Sequence, residues 1–441
     1  MRLRATELAA MAGGTLSGPD VEVDGACIDS RLVRGGELFV AIRAGRDGHE
    51  FIETAQDAGA AAWMGSHPHR AGTGIVVDDS AAALTRLGTA TRARLPDRVV
   101  GITGSVGKTS TKDLLAAALA RRFRVSASPK SFNNELGVPL TLLNVADGVE
   151  AVVVEMGARG PGHVAALCAV ARPVIGVVTT VGVSHAAFFG TIEDVARAKG
   201  ELIEALPPHG TAVLNADVPL VAAMAARATA QVLTFGVGVG AGRGDVRAEE
   251  VTVDAELRPR FRLYSPWGEA QVALEVRGQH QVANALAAAA AALACGAGIE
   301  DVAAGLGDAR LSPWRMQLER SASGALILND AYNANPLSAE AALRALVGLP
   351  VARHTALLGA MAELGDVGPS EHARIGALAA ELGIRVIAVN APEYGGEQAG
   401  DVEEALDRLG PVGTDDAVLV KASRSAGLEA LAATLVGTAT T

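Results

Sequence analysis

Val99-Val100-Gly101-Ile102-Thr103-Gly104-Ser105-Val106-Gly107-Lys108-Thr109-Ser110 is the most informative stretch of this chain. An apolar run ends at Thr103, a turn with two glycines follows, and a helical pattern starts near Ser110. Gly104 and Gly107 allow the backbone to wrap an anion closely. The helix N-terminus then points its unpaired N–H groups at that anion. In such a loop Gly104, Ser105, Val106 and Gly107 supply the cradle. Lys108 reaches the β- and γ-phosphates, and Thr109 holds a magnesium ion. The longer form of the pattern carries a glycine five residues before Gly107. That position is Ile102 here, so the loop is the shortened variant TGxxGKT.

Short apolar runs alternate with helical stretches on the carboxyl side of the loop. The runs are Ala151–Glu155, Val174–Thr180, Thr211–Asn215 and Val232–Phe235. The helical stretches are Ser110–Ala120, Gly162–Val170, Ile192–Ala205 and Val218–Ala226. This alternation predicts a mostly parallel sheet with helices on both faces. From Asp245 to Val276 the period falls to two, around a turn at Pro266-Trp267-Gly268, which predicts antiparallel strands added to that sheet. The whole reads as an α/β chain of three units. Residues 1–85 form a small α/β domain, 86–306 a central domain of phosphate-loop type, and 307–441 a Rossmann-like domain. A length of 441 residues agrees with roughly 150 per domain.

In a sheet of this kind ligands gather at the carboxyl ends of the strands. Glu155 ends one strand and suits magnesium, which prefers oxygen ligands. His185 follows another, and reads either as a metal-side residue or as a capping or core histidine. Two loops, Ser131–Pro139 and Asp330–Pro336, carry more polar side chains than a turn requires, although turn chemistry alone explains asparagine in such places.

Composition narrows the function. The net charge of −11 repels a phosphate backbone, so no nucleic-acid partner is expected. Aromatic residues make up only 3%, so Ala, Val and Leu must fill the cores. Cys27, Cys168 and Cys295 lie too far apart to form a metal or redox pair. The N-terminus lacks an apolar signal core, and the Ala-rich run Val282–Ile299 is too weakly apolar for a membrane span. A cytoplasmic protein without a membrane span is the expectation. Only five lysines occur, at 108, 112, 130, 199 and 421, in a chain otherwise served by arginine. Each is a candidate for a place that needs a compact ammonium or a free amine. Lys112 also reads as a simple surface residue, and Lys199 as an exposed helix lysine.

With these residues assembled, the chain resembles the Mur ligases of bacterial peptidoglycan synthesis. The likeness runs through Asp29-Ser30-Arg31, Gly36–Ala41, Asp47–Phe51, the phosphate loop, Asn133–Pro139 and Val154–Gly157. It continues through Ala198–Glu201, Asn215–Asp217, Asp330–Pro336, Leu358–Gly365 and Val420–Arg424. The resemblance implies an ATP-dependent ligase that joins D-alanyl-D-alanine to UDP-muramoyl-tripeptide through an acyl phosphate, acting as a monomer. It implies that Ser30 and Arg31 lie near the uridine, with Asn133 and Asn134 also on the substrate side. Gly104 to Ser110 would cradle ATP, and Asn284, Asp330, Asn333 and Arg315 would contact the nucleotide. Thr109, Glu155, His185 and a carbamylated Lys199 would hold two Mg²⁺ ions, with Lys108, Lys199 and His185 serving catalysis. Gln281, Ala186, Ala187 and Ala360 depart from residues frequent in the family. Two alternatives are a ligase of the preceding step, which adds a single amino acid, and a nucleotide switch or inactive scaffold. No lysine here follows an asparagine, which disfavours a GTP-binding switch.

Overall fold

A computed structural model of the chain describes residues 2–70, 72–182, 189–238 and 244–437. Its centre is a nine-stranded sheet. From one edge to the other the strands are Gly268–Ala273, Pro259–Ser265, Val246–Val253, Gln231–Gly236, Thr211–Asn215, Ile175–Val178, Val99–Thr103, Ala151–Glu155 and Val125–Ala127. The strand Val99–Thr103 is buried on both faces, as an unbroken apolar run in a covered parallel sheet requires. Its neighbours run parallel to it, with Glu155 opposite Ile102 and Val178 opposite Thr103. The carboxyl ends of three strands therefore meet at one place. The two strands beyond Val246–Val253 are antiparallel, as the change of period predicts, and a bulge lies between Glu249 and Thr252.

Alternating strand residues feed two cores. Val100, Ile102, Ala151 and Val153 pack on the face carrying the helices Lys108–Ala120 and Gln281–Ala294. Val99, Val152 and Val154 pack on the other face, against His163–Ala171 and Ile192–Glu204. The Ala-rich run is a packed helix whose residues Ala287 to Ala292 are fully buried. No helix among the described residues is long and apolar enough to cross a membrane.

The N-terminal unit holds a five-stranded sheet, in the order Thr15–Ser17, Thr73–Val76, Ala62–Gly65, Leu38–Val40 and Ala26–Cys27. A separate pair joins Arg2–Arg4 to Glu22–Asp24. A side chain at Gly74 would collide with the Trp63 ring, so glycine lets that indole lie flat in the core. The helix Ser80–Arg92 spans the 85/86 boundary without a break. Leu84 and Leu87 pack into the N-terminal core, whereas Arg92 donates to the carbonyls of Ala171 and Arg172 at 2.7 and 3.2 Å. One continuous helix thus ties the first unit to the second.

The C-terminal unit carries a six-stranded sheet in the order Gln317–Arg320, Leu326–Asn329, Asp416–Lys421, Arg353–Gly359, Arg385–Val389 and Glu397–Ala399. Only its first pair is antiparallel; the others follow the doubly wound pattern.

Candidate active site

The strand–turn–helix forms where the sequence puts it, with the helix beginning at Lys108 rather than near Ser110. Gly107 sits at φ +87° as the residue before the helix, and Gly104 at φ +148°. A β-carbon at Gly104 would strike the Thr179 hydroxyl, and one at Gly107 the Asn284 amide. Both glycines are therefore required by close approach as well as by backbone angle. The Thr179 hydroxyl donates to the Val106 carbonyl at 2.6 Å and fixes the turn from the neighbouring strand end.

The Lys108 ammonium lies back over the loop, 2.7 Å from the Gly104 carbonyl. A bound triphosphate would exchange that bond for phosphate oxygens. Burial pushes the Lys108 ammonium below the usual lysine range. Glu155 opposes the shift, Arg315 adds to it and Glu363 opposes it.

Thr109 and Glu155 meet as the loop pattern predicts. The Thr109 hydroxyl donates to Glu155 Oε2 at 2.8 Å, and Asn133 donates its amide to Glu155 Oε1 at the same distance. A hydroxyl and a carboxylate converging beside a phosphate loop are hard oxygen donors, the set Mg²⁺ takes together with phosphate oxygens and water. From the C-terminal unit, Arg315 donates to the Thr109 hydroxyl at 2.9 Å, and its guanidinium stacks 4.1 Å from the Tyr332 ring centroid. The Tyr332 hydroxyl in turn hydrogen-bonds Ser131, so the two units touch directly across the site.

These residues line one cleft of about 1450 Å³. That exceeds the roughly 300–1000 Å³ of a pocket for one small ligand and leaves room for a nucleotide and a second substrate. Ser105 through Ser110, Asn133, Asn134, Glu155, Asn284, Arg315, Asp330 and Asn333 all face it. Asp330 is held by the Lys421 ammonium and by the Met316 N–H at 3.1 Å. Lys421 also donates to the Asn333 carbonyl at 3.0 Å. Burial pushes the His280 imidazole on the same wall below its usual value, a shift that Asp330 opposes and Lys421 reinforces.

Other expected residues stand apart from the cleft wall. Ile28 reaches it, but Ser30 is buried and Arg31 points to solvent, paired with Asp29 at 2.7 Å. His185 lies outside the described residues. Lys199 is not the exposed lysine its position suggests: only 1% of it meets solvent. Among the described residues no hydrogen-bond or ion-pair partner meets its ammonium. Burial, with Lys108 as a further cation nearby, pushes its amine down to about 7.

Sequence reasoning passed over His280, Thr179 and Thr180. The threonines follow the strand Ile175–Val178, so their position at a strand end was the available signal. Lys112 is buried too, which corrects its reading as a surface residue.

Comparison with known proteins agrees with this geometry. The Mur ligase middle domain matches residues 102–292, and the Mur ligase glutamate ligase domain matches 314–437. The UDP-N-acetylmuramoyl-tripeptide–D-alanyl-D-alanine ligase of Mycobacterium tuberculosis is 41% identical, over 92% of this chain and 91% of that protein. The Escherichia coli ligase of the same name is 34% identical over 96% of each. The crystal structure of MurF from Acinetobacter baumannii superposes with a TM-score of 0.88 at 30% identity, covering 99% of both chains. MurF from Thermotoga maritima in complex with ADP gives 0.80 at 29% identity, over 94% of this chain and 97% of that one. At such identity over nearly the full length, the chain belongs to the Mur ligase family.

Proposed function

We propose that the chain is an ATP-dependent ligase that forms an amide between UDP-N-acetylmuramoyl-tripeptide and D-alanyl-D-alanine in peptidoglycan precursor synthesis. The observation that carries this reading is the single cleft in which the loop Ser105–Ser110 faces Arg315, Asp330 and Lys421 of the C-terminal unit. The names of the relatives supply the substrates. In this reading residues 1–85 hold the UDP-sugar, 86–306 hold ATP and 307–441 close over both. The enzyme acts as a cytoplasmic monomer. The presence of Ile28 on the cleft wall supports a sugar nucleotide running toward Ser30 and Arg31.

A free carboxylate does not acylate an amine at neutral pH, because oxide is a poor leaving group. The γ-phosphoryl therefore moves to the tripeptide carboxylate: a P–O bond forms to the carboxylate oxygen as the bond to the β,γ-bridging oxygen breaks, and ADP leaves. Backbone N–H groups from Gly104 to Ser110 hold the phosphates, while Lys108 and Arg315 offset the charge that shifts onto ADP. The amine of the dipeptide then attacks the acyl carbon, loses a proton, and phosphate departs. The Arg315–Thr109 and Tyr332–Ser131 contacts keep the C-terminal unit over the site, which excludes water from the acyl phosphate.

Thr109 and Glu155 would hold Mg²⁺, with His185 assigned to the same task by family resemblance. The ions supply charge neutralisation of the phosphates when bound. Lys199 supports a second contribution. A buried amine near 7 is substantially neutral at physiological pH. In that form it can add carbon dioxide, forming an N–C bond and releasing a proton, to become a carbamate. The resulting anion would give the second metal a ligand near the Lys108 cation.

The test is phosphate release from ATP with UDP-muramoyl-tripeptide, comparing D-alanyl-D-alanine with single amino acids. Release with the dipeptide is expected. Release only with a single amino acid and the UDP-muramoyl-dipeptide would move the chain to the preceding step.

A further inference from the structure

Lys112 lies one turn beyond Lys108 on the helix Lys108–Ala120 and does not line the cleft. Its ammonium donates two hydrogen bonds and makes one ion pair. The Ser128 carbonyl lies at 2.8 Å, the Lys130 carbonyl at 2.9 Å and the Asp113 carboxylate at 3.1 Å. The Ser128 and Lys130 carbonyls belong to the segment that enters the Asn133 loop, in which Lys130 is held at φ +50°. The Ser128 hydroxyl accepts the backbone N–H of Glu155 at 3.1 Å. Five residues on, Asn133 holds the Glu155 carboxylate, and its carbonyl accepts the Gly157 N–H at 2.7 Å. Glu155 is thus fastened at its backbone and its side chain to a segment that Lys112 ties to the phosphate-loop helix.

The adjacent residue ties the other side. Asp113 Oδ2 accepts both the N–H and the hydroxyl of Ser312, at 2.7 and 2.8 Å. Ser312 lies three residues before Arg315, whose guanidinium reaches Thr109. Consecutive side chains on one helix therefore brace the carboxylate and the arginine that flank the Thr109 hydroxyl.

We infer that Lys112, with Asp113, is a positioning residue for the nucleotide–metal site, setting Glu155 and Arg315 against the phosphate loop without touching substrate. The inference rests on the ATP–metal reading above. Groups that orient a metal ligand commonly change affinity about 10–100-fold when removed.

The experiment measures Mn²⁺ affinity of the ADP-bound protein by electron paramagnetic resonance, and affinity for a fluorescent ADP in EDTA. Lys112→Met is expected to weaken Mn²⁺ binding by about tenfold or more, with metal-free ADP binding within about twofold of the parent. Ser128→Ala leaves the ammonium in place and removes the acceptor for the Glu155 N–H. It is expected to weaken Mn²⁺ by roughly threefold to tenfold, and it carries the test if Lys112→Met does not fold. Unchanged Mn²⁺ affinity in a folded variant overturns the inference. So does an equal loss of metal-free ADP binding, which would mark a general structural fault. Failure of the parent to bind Mn²⁺ with ADP overturns the ATP–metal reading itself, a result distinguishable from the other two.

Discussion

Lys112 and Lys199 sit on helices that cover opposite faces of the same sheet, and both are almost sealed from water, at 3% and 1% exposure. Around Lys112 the chain has arranged two carbonyls that accept its hydrogen bonds and a carboxylate that pairs with its charge. Around Lys199 it has arranged no partner among the described residues, and burial, with the further cation Lys108, acts against its charge. Burying an ammonium without partners is unfavourable, and the group answers by releasing its proton. The satisfied lysine is a fastener. The one without a described partner is, in the reading proposed above, the amine that takes up carbon dioxide. Partners, rather than burial, separate the two roles.

The largest effect expected from this contrast is on turnover. Lys199→Arg installs a cation that cannot form a carbamate, and it should lower turnover by about 10³-fold or more, the several kcal/mol that metal charge stabilisation carries. Lys108→Ala, which removes one charge-stabilising donor, should cost roughly 10²–10³-fold or more. Phosphate-release assays measure both. Carbon dioxide provides a second handle: stripped enzyme returned to a fixed concentration of dissolved carbon dioxide should regain activity faster above pH 7 than below, because only the neutral amine reacts. Near-normal turnover of Lys199→Arg would remove the distinction between the two lysines.

The same substitution should also move stability in opposite directions at the two sites. Lys112→Met leaves Asp113 and two carbonyls short of a donor, and should destabilise the fold by about 2–5 kcal/mol. Lys199→Met removes a group that costs free energy to bury, and in bicarbonate-free buffer should stabilise the fold by roughly 2–5 kcal/mol at pH 7. The sign of the pH dependence follows from the lowered amine. Between about 7 and the ordinary 10.5 the unfolded chain keeps a proton that the folded chain has released. The parent therefore gains stability as pH rises through that window. The advantage of Lys199→Met should be largest at the acid end and fade toward pH 10.5, as read from urea unfolding midpoints across pH. A loss of stability at both sites would show that Lys199 has partners after all.

The parts of the molecule legible in sequence are those whose physics is local. A buried strand, two glycines and a helix start are contiguous, so the phosphate loop and the strand end at Glu155 could be read directly. The antiparallel extension showed itself through its period. Val125–Ala127, Gln317–Arg320 and Glu397–Ala399 were missed because edge strands are short and half-exposed, without the continuous apolar run of a central strand. The helix Gly137–Leu143 was missed because its approach, Asn133-Asn134, reads as a turn. The cross-unit contacts were beyond sequence reasoning altogether. Asp113 and Ser312 stand 199 positions apart, as do residues 131 and 332 within two, and nothing local to either partner announces the other. Rarity marked Lys112 and Lys199 equally and could not tell their surroundings apart; only the family resemblance singled out Lys199.

The smallest expected effect extends the comparison to a neutral group. Asn144 uses its side-chain amide as a strand would use its backbone: Oδ1 accepts the Ala26 N–H at 3.0 Å, and Nδ2 donates to the Ala26 carbonyl at 2.9 Å. Gly25, at φ +81°, approaches so closely that a side chain there would strike the amide. Like Lys112, Asn144 meets several partners; unlike Lys112, it carries no charge, so removing it costs only the neutral hydrogen bonds to the Ala26 N–H and carbonyl. Asn144→Ala should therefore cost about 1–2 kcal/mol. Because Leu140 and Leu143 remain packed in the N-terminal core, the first two units should still unfold together. The urea midpoint should fall while the slope of the transition stays unchanged. A shallower or split transition would mean instead that this one amide, rather than the shared apolar core, couples the N-terminal unit to the sheet that carries the site.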